Sequence, residues 1–366
     1  MNNVSRRQLM QVAGAAALAA PQGRAVSMPA PKFEGPGTPK ICLIAGDGGP
    51  GTPEEAARRI KQIGVNHVIA GMPGRLPWDE ARLKEVMERY RGWGLEVGNI
   101  MIGGFNRAIY ARPGKDEDIE NVIKSVQAAG RAGLPVVEYN WYAHRAMEGY
   151  FEETGRAGTG WTGFDYERMK GLPPLENEGA HTLDEMWANI AYFLKAVVPE
   201  AEKAGVRLAL HPNDPPAPIS RGSQQIMGSV EGWKKLISIV NSPSNGITFD
   251  CGVTREMGQD PVEVCQYFAS RDRINHVHFR NVKVQKPYER YSEVFIDEGE
   301  NNMFAVMREL VKNKYTHLVY PEHPRALDYD REREGFHPQY PGGGAYTAFT
   351  FNVGYARAMM QAALTV

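Results

Sequence analysis

Four side chains able to hold a divalent cation stand at equivalent places in four successive apolar runs. The runs end Leu208-Ala209-Leu210-His211-Pro212, Thr248-Phe249-Asp250-Cys251-Gly252, His276-Val277-His278-Phe279-Arg280 and Val319-Tyr320-Pro321-Glu322-His323. A single His after an apolar run is ordinary core chemistry. Four imidazole or carboxylate groups at the same relative position point to a metal centre. His276 and His278 are two apart and share a strand face, and the position nearer the C-terminal end favours His278. Asp250 and Cys251 are adjacent, so only one of them looks inward. Two His and two carboxylates suit Mn²⁺, Fe²⁺, Co²⁺ or Mg²⁺, whereas a Cys thiolate in place of Asp250 would shift the site toward Fe²⁺ or Zn²⁺.

The elements that must position these groups alternate in a regular way. Short apolar runs occupy Ile41–Ala45, His67–Ala70, Leu95–Ile102, Pro135–Trp141, Arg207–His211, Gly246–Asp250, Ile274–Phe279 and His317–Tyr320. Helical patterns follow them at Thr52–Gly64, Asp79–Gly92, Asp116–Gly133, Thr182–Gly205, Val230–Val240, Pro261–Ser270, Asn301–Asn313 and Tyr346–Ala363. Thr52-Pro53-Glu54-Glu55 unites an N-cap, a Pro at the first helical position and a capping-box Glu. Continuous apolar strands alternating with helices predict a parallel sheet covered on both faces, and eight units predict closure into an α/β (β/α)8 TIM barrel. In such barrels the active site lies at the C-terminal strand ends, where the four candidate ligands fall. A long Gly- and aromatic-rich insertion after strand 4, about 142–181, reads as a lid over that rim. His144, Arg145 and His181 border it and would close over a bound substrate.

The chain start carries different information. Ser5-Arg6-Arg7-Gln8-Leu9-Met10 precedes an apolar stretch to Ala20 that ends at Pro21, the pattern of a twin-arginine-type signal peptide over residues 1–25. That stretch is too short to span a bilayer, which needs about 20 residues, so stable membrane insertion is not expected. Residues 26–39 read as a linker and 40–366 as a single barrel, in an exported or periplasmic protein. A net charge of −1, with Lys and Arg spread along the chain, gives no electrostatic case for nucleic acid. Three widely spaced cysteines do not make a disulfide framework.

The segments His211-Pro212-Asn213-Asp214-Pro215-Pro216, Gly246 to Gly252, His278-Phe279-Arg280-Asn281 and Pro321-Glu322-His323-Pro324-Arg325 resemble the mannonate dehydratase family. Tyr139-Asn140-Trp141 and Asp297-Glu298-Gly299 fit the same pattern. That family is a metal-dependent branch of the xylose-isomerase-like barrels, and the resemblance covers most of the chain after about Lys40. The chain departs from the family at three points. The family's strand-six Cys falls on Asp250, its eighth-strand Asp is Glu322, and its Tyr after a Pro-Gly pair corresponds to Gly344, with Tyr340 and Tyr346 nearby. The wider isomerase and epimerase barrels carry Asp at the strand-six position, which assigns Asp250 to the ligand set.

The resemblance implies removal of water from a D-mannonate-like sugar acid to give a 2-keto-3-deoxy acid, with one divalent metal, Mn²⁺ or Fe²⁺ first and Mg²⁺, Co²⁺ or Zn²⁺ compatible. The ligands would be His211, Asp250, His278 and Glu322. His323, beside Glu322, is the leading acid/base; Tyr346 and Asp214 are further candidates, although Tyr346 also suits helix packing and Asp214 a turn. Arg280 and Arg325 could clamp a carboxylate, or ion-pair at the rim, and Asn140 and Trp141 could contact hydroxyls. Two alternatives share the scaffold: a metal-dependent isomerase, epimerase or lyase acting on an oxidised sugar, and a non-catalytic exported carbohydrate-binding barrel. Barrels of this kind often form homo-oligomers.

Overall fold

The structure is a computed structural model that describes residues 33–142, 144–145 and 147–366. The segment read as a signal peptide, and most of that read as a linker, lie outside the described residues. In chain order the strands are β1 (Lys40–Ile44), β2 (His67–Ala70), β3 (Glu96–Ile102), β4 (Val136–Tyr139), β5 (Tyr150–Thr154), β6 (Gly160–Asp165), β7 (Arg207–Leu210), β8 (Ile219–Ser220) and β9 (Ser223–Gln224). There follow β10 (Asn245–Asp250), β11 (Ile274–His278), β12 (Asn281–Lys286), β13 (Arg290–Val294) and β14 (Leu318–Tyr320).

Eight of these close a parallel barrel in the order β1-β14-β11-β10-β7-β4-β3-β2. All eight expected runs are barrel strands, displaced by at most two residues at either end. Every residue of β4, β10 and β11 is buried, as a sheet covered by helices requires. The helices start and stop where their capping residues dictate. Thr52 and Glu55 form the reciprocal capping box ahead of Pro53, and Thr182 and Glu185 repeat it at the 183–204 helix. Gly133 and Gly205 end their helices in the left-handed region, which a Cβ would disfavour. Among the described residues no helix is long and apolar enough to cross a membrane.

The insertion after β4 is more ordered than its composition suggests. Its β5 and β6 join β12 and β13, a hairpin between β11 and the next helix, in one antiparallel sheet of order β12-β13-β6-β5. In its register Phe164 opposes both Tyr150 and Tyr291. Their rings lie 5.0 and 4.8 Å from that of Phe164, and with Met169 and Ala217 they form a small second core. Gly160 at the start of β6 and Gly163 within it blur the strand signal. Phe164→Ala should remove the centre of this core at a cost of about 3 kcal/mol or more. Chemical denaturation would measure the loss, and limited proteolysis should then cut first within 142–181.

Candidate metal centre and reaction cavity

Each candidate ligand is set by the end of a barrel strand. His211 follows β7, Asp250 ends β10, His278 ends β11 beside it in register, and Glu322 stands two residues past β14. The Nδ1 of His278 lies 3.2 Å from His211 Nε2, 3.1 Å from Glu322 Oε1 and 3.9 Å from Asp250 Oδ2. Each of these pairs is close enough to share an ion, and the mutually close donors fall into two groups joined at His278, Glu138–His211–His278 and Asp250–His278–Glu322.

The tautomers agree with this arrangement. His211 Nδ1 is 2.7 Å from the Pro212 carbonyl, which can only accept, so Nδ1 carries the proton and Nε2 offers a lone pair. His278 turns its Nε2 toward Glu138 Oε1 at 3.5 Å, leaving Nδ1 for the centre. Glu138 is itself fixed by Asn99 Nδ2 at 2.9 Å and Thr248 Oγ1 at 2.8 Å. The Glu322 Oε1 atom is buried between His278 Nδ1 at 3.1 Å and Arg280 Nε at 3.2 Å. Burial alone would depress His278, but Glu322, Glu138 and Asp250 outweigh it and lift it to about 9. Burial and the charge of His278 push His211 down to about 3. The field at this point favours positive charge, and the donor set fits a divalent cation.

Of the pair left open by the sequence, Asp250 stands in this cluster and Cys251 lies in the apolar core. Asp250 Oδ1 accepts the Val253 backbone N–H at 2.8 Å, capping the short helix Cys251–Glu256. Its Oδ2 accepts from Arg280 Nε at 3.1 Å, and burial raises its carboxyl to about 6 despite that neighbour. His276 sits one layer deeper, fully buried, with Nε2 3.9 Å from Glu138 Oε2.

Three of the candidate ligands, His211, His278 and Glu322, line a cavity of about 620 Å³, and Asp250 lies behind them. His323 lines it too. Its Nδ1 is 2.7 Å from Glu293 Oε2 and its Nε2 is 3.5 Å from Glu322 Oε2. Its φ of +46° is a left-handed conformation that non-glycine residues reach at a cost of about 1 kcal/mol or more. Asp214 accepts from Tyr150 Oη at 2.6 Å and from Arg145 Nη2 at 2.5 Å. Burial would raise the Asp214 carboxyl, but Arg145, Arg280 and His323 outweigh it and hold it well below the usual carboxylate range. Tyr346 lines the cavity with its hydroxyl donated to the Arg59 carbonyl at 3.0 Å. Asn140 lines the cavity beside Met101.

The other expected contacts are placed elsewhere. Trp141 is 2% exposed and packs among Phe105 and Phe193, away from the cavity wall. Arg280 and Arg325 are buried behind the site rather than facing it. Arg280 Nε lies 3.1 Å from Asp250 and 3.2 Å from Glu322, and Nη1 lies 2.6 Å from Glu256. Arg325 holds Glu293 Oε2 at 3.0 Å and donates to the Thr162 hydroxyl. Of the three residues bordering the insertion, Arg145 alone lines the cavity. His144 pairs with Glu148 at 3.1 Å, and His181 stacks on Tyr110 with ring centres 4.5 Å apart.

Reading strand ends alone misses Glu138, Glu256 and Glu293. Glu138 did carry a signal: it is the one charge in an apolar run and shares a strand face with Asn140. Glu293 lies on β13, which has no place in the eightfold pattern.

Fold and site together define an enzyme-type barrel with a candidate metal centre at its C-terminal rim. The model of D-mannonate dehydratase (UxuA) matches residues 161–363, more than half of the chain. The chain belongs to the D-mannonate dehydratase family. It is 29% identical over 325 residues to a mannonate dehydratase of Streptococcus pneumoniae, covering 81% of this chain and 86% of the relative. The crystal structure of mannonate dehydratase from Streptococcus suis superposes with a TM-score of 0.78 at 26% identity, covering 89% of this chain and 95% of that one. A xylose isomerase-like TIM barrel protein from Mycobacterium smegmatis shares the fold, with a TM-score of 0.58 at 12% identity over 89% of this chain and 98% of that one.

Removing the buried guanidinium should be costly. Arg280→Met leaves Asp250 and Glu256 buried without their cation, and the expected loss is about 3–5 kcal/mol in urea denaturation at neutral pH. A loss below about 1 kcal/mol would mean that these carboxylates take up protons without penalty.

Proposed function

We propose that this chain is a metal-dependent hydro-lyase that removes water from a D-mannonate-like sugar acid and gives the 2-keto-3-deoxy acid. One divalent cation, Mn²⁺ or Fe²⁺, would be held by His211, Asp250, His278 and Glu322. The observation that carries the reading is the placement of His278 Nδ1 at the floor of the cavity, 3.2 Å from His211 Nε2 and 3.1 Å from Glu322 Oε1, in a chain of this family.

A cation bound there would stabilise the charge that develops on the substrate carboxylate when the adjacent carbon loses its proton. The protein's own groups supply the rest. Glu293 accepts the Nδ1–H of His323, so that Nε2 is the nitrogen left to exchange a proton with substrate. Arg145 is the guanidinium that reaches the cavity, and ionised Asp214 orients it and charges its surroundings. Asn140 offers an amide to a hydroxyl. With its hydroxyl on the Arg59 carbonyl, Tyr346 serves the wall more directly than the proton transfer. The paired Arg6-Arg7 and the apolar stretch after them support export of the folded enzyme.

Proton NMR in D₂O of Mn²⁺-loaded protein with D-mannonate tests the reaction. A new 3-deoxy methylene signal is expected. Exchange or inversion at a carbon without water loss would replace the dehydratase by an epimerase or isomerase. Calorimetry should find one Mn²⁺ per chain, lost in His211→Ala and Glu322→Ala and weakened about 10–100-fold in Glu138→Gln. His323→Asn should keep the metal and lower kcat by about 10²–10⁴. Unchanged turnover in that variant would remove His323 from the proton path.

A further inference from the structure

The cavity has two unlike halves. Its polar side comes from the ends of β4, β7, β11 and β14, whereas the ends of β1, β2 and β3 and the loops after them supply Ile44, Ile69, Met72 and Met101, with Asp47 engaged by the Tyr320 hydroxyl and the Ile44 backbone N–H. Phe336 extends that apolar wall toward solvent. Ile44, Met72 and Met101 are 39%, 51% and 36% exposed, three of the ten large apolar side chains left exposed among the described residues, and all three meet at this rim. Scattered apolar residues at a surface need no explanation, but a cluster beside a polar reaction centre does.

A linear sugar acid carries a hydroxyl on each carbon beyond its carboxylate. Laid along Ile44, Ile69, Met72 and Met101, those hydroxyls would lose water without gaining partners from these side chains. A pyranose ring is different, since its C–H face is apolar and its hydroxyls point outward from the edge. His337 and Gln339, exposed at the same rim, could meet such an edge. At about 620 Å³ the cavity is also larger than a linear six-carbon acid needs, and it falls within the roughly 300–1,000 Å³ of pockets that take drug-sized ligands.

We infer that the substrate is an extended sugar acid, an aldonate bearing a second sugar ring at the end remote from its carboxylate. This rests on the dehydratase reading of the same site. The reaction breaks the C2–H and C3–O bonds, releases water, and leaves an enol that becomes the 2-keto acid, so the second ring must be joined through O4, O5 or O6 and is untouched.

The experiment compares D-mannonate with 4-O-β-mannosyl-D-mannonate on the full chain loaded with Mn²⁺, following both turnover by NMR and binding by calorimetry. The expected result is a kcat/KM for the disaccharide acid higher by on the order of tenfold or more. Met72→Ser should erase most of that preference and leave turnover of D-mannonate unchanged. Turnover of D-mannonate with neither turnover nor binding of the disaccharide acid would overturn the extension and keep the dehydratase. Equal turnover of both acids, insensitive to Met72→Ser, would overturn it as well. Tighter binding of the disaccharide acid without turnover of either would support the extension and remove the dehydratase assignment. Failure of both acids to bind would remove both.

Discussion

The rim of this barrel depends on one buried cation, the guanidinium of Arg280. It is 2% exposed, and carboxylates from four separate segments surround it: Asp250, Glu256, Glu322 and, at 3.7 Å, both Asp214 and Glu293. None of these acids could be stripped of water unpaired, and the guanidinium fork lets several share one positive charge. The backbone around it is shaped accordingly. A Cβ on Gly252 would fall 2.4 Å from Arg280 Nη1, so glycine at this position of the short helix lets its first turn lie against the guanidinium. Asn301 closes the back of the arrangement by donating to the Cys251 carbonyl at 3.1 Å.

Arg280 does not neutralise the site. Glu138, Asp214, Asp250, Glu256, Glu293 and Glu322 are all buried, against the guanidiniums of Arg145, Arg280 and Arg325. Glu138, Asp250 and Glu322 crowd on His278 and hold its imidazole in the charged form, beside the lone pair that His211 Nε2 offers. An imidazole pair alone would be a weak base at this depth. Carboxylates on one side, and Glu138 behind His278, turn it into a cation trap. The layer below continues the polar theme, with Asn99 and Thr248 holding Glu138 in place.

The barrel, and the gathering of His211, Asp250, His278 and Glu322 at its strand ends, were legible in the sequence because both rest on local rules. Apolar strands bounded by capped helices repeat eight times, and a strand's last residue projects at a known rim. What stayed hidden depends on contacts between distant segments. For Arg280 the sequence leaves clamp and ion pair equally open, and Arg325 reads as a clamp, since nothing local reveals which acids from other loops enclose each. Trp141 follows Asn140, and strand alternation sends it outward into the Phe105 and Phe193 pack. Glu293 orients His323 from a hairpin whose partner strand lies 131 residues earlier, in the pairing of Glu293 with Thr162. No periodicity within either segment could announce that pairing.

The shared sheet of β5, β6, β12 and β13 has a consequence for how this rim can vary. The loops of a barrel are usually independent, each free to be lengthened or exchanged without regard to its neighbours. Here the fourth and seventh loops are edges of a single sheet, with Glu153 gripping Arg290 and Ser292 across it. That sheet also carries Glu293 to His323 and Thr162 to Arg325. The two loops therefore constitute one inheritable module. A transplant of either into another barrel would arrive without the half that gives it shape, and lineages of this rim should gain or lose the pair together.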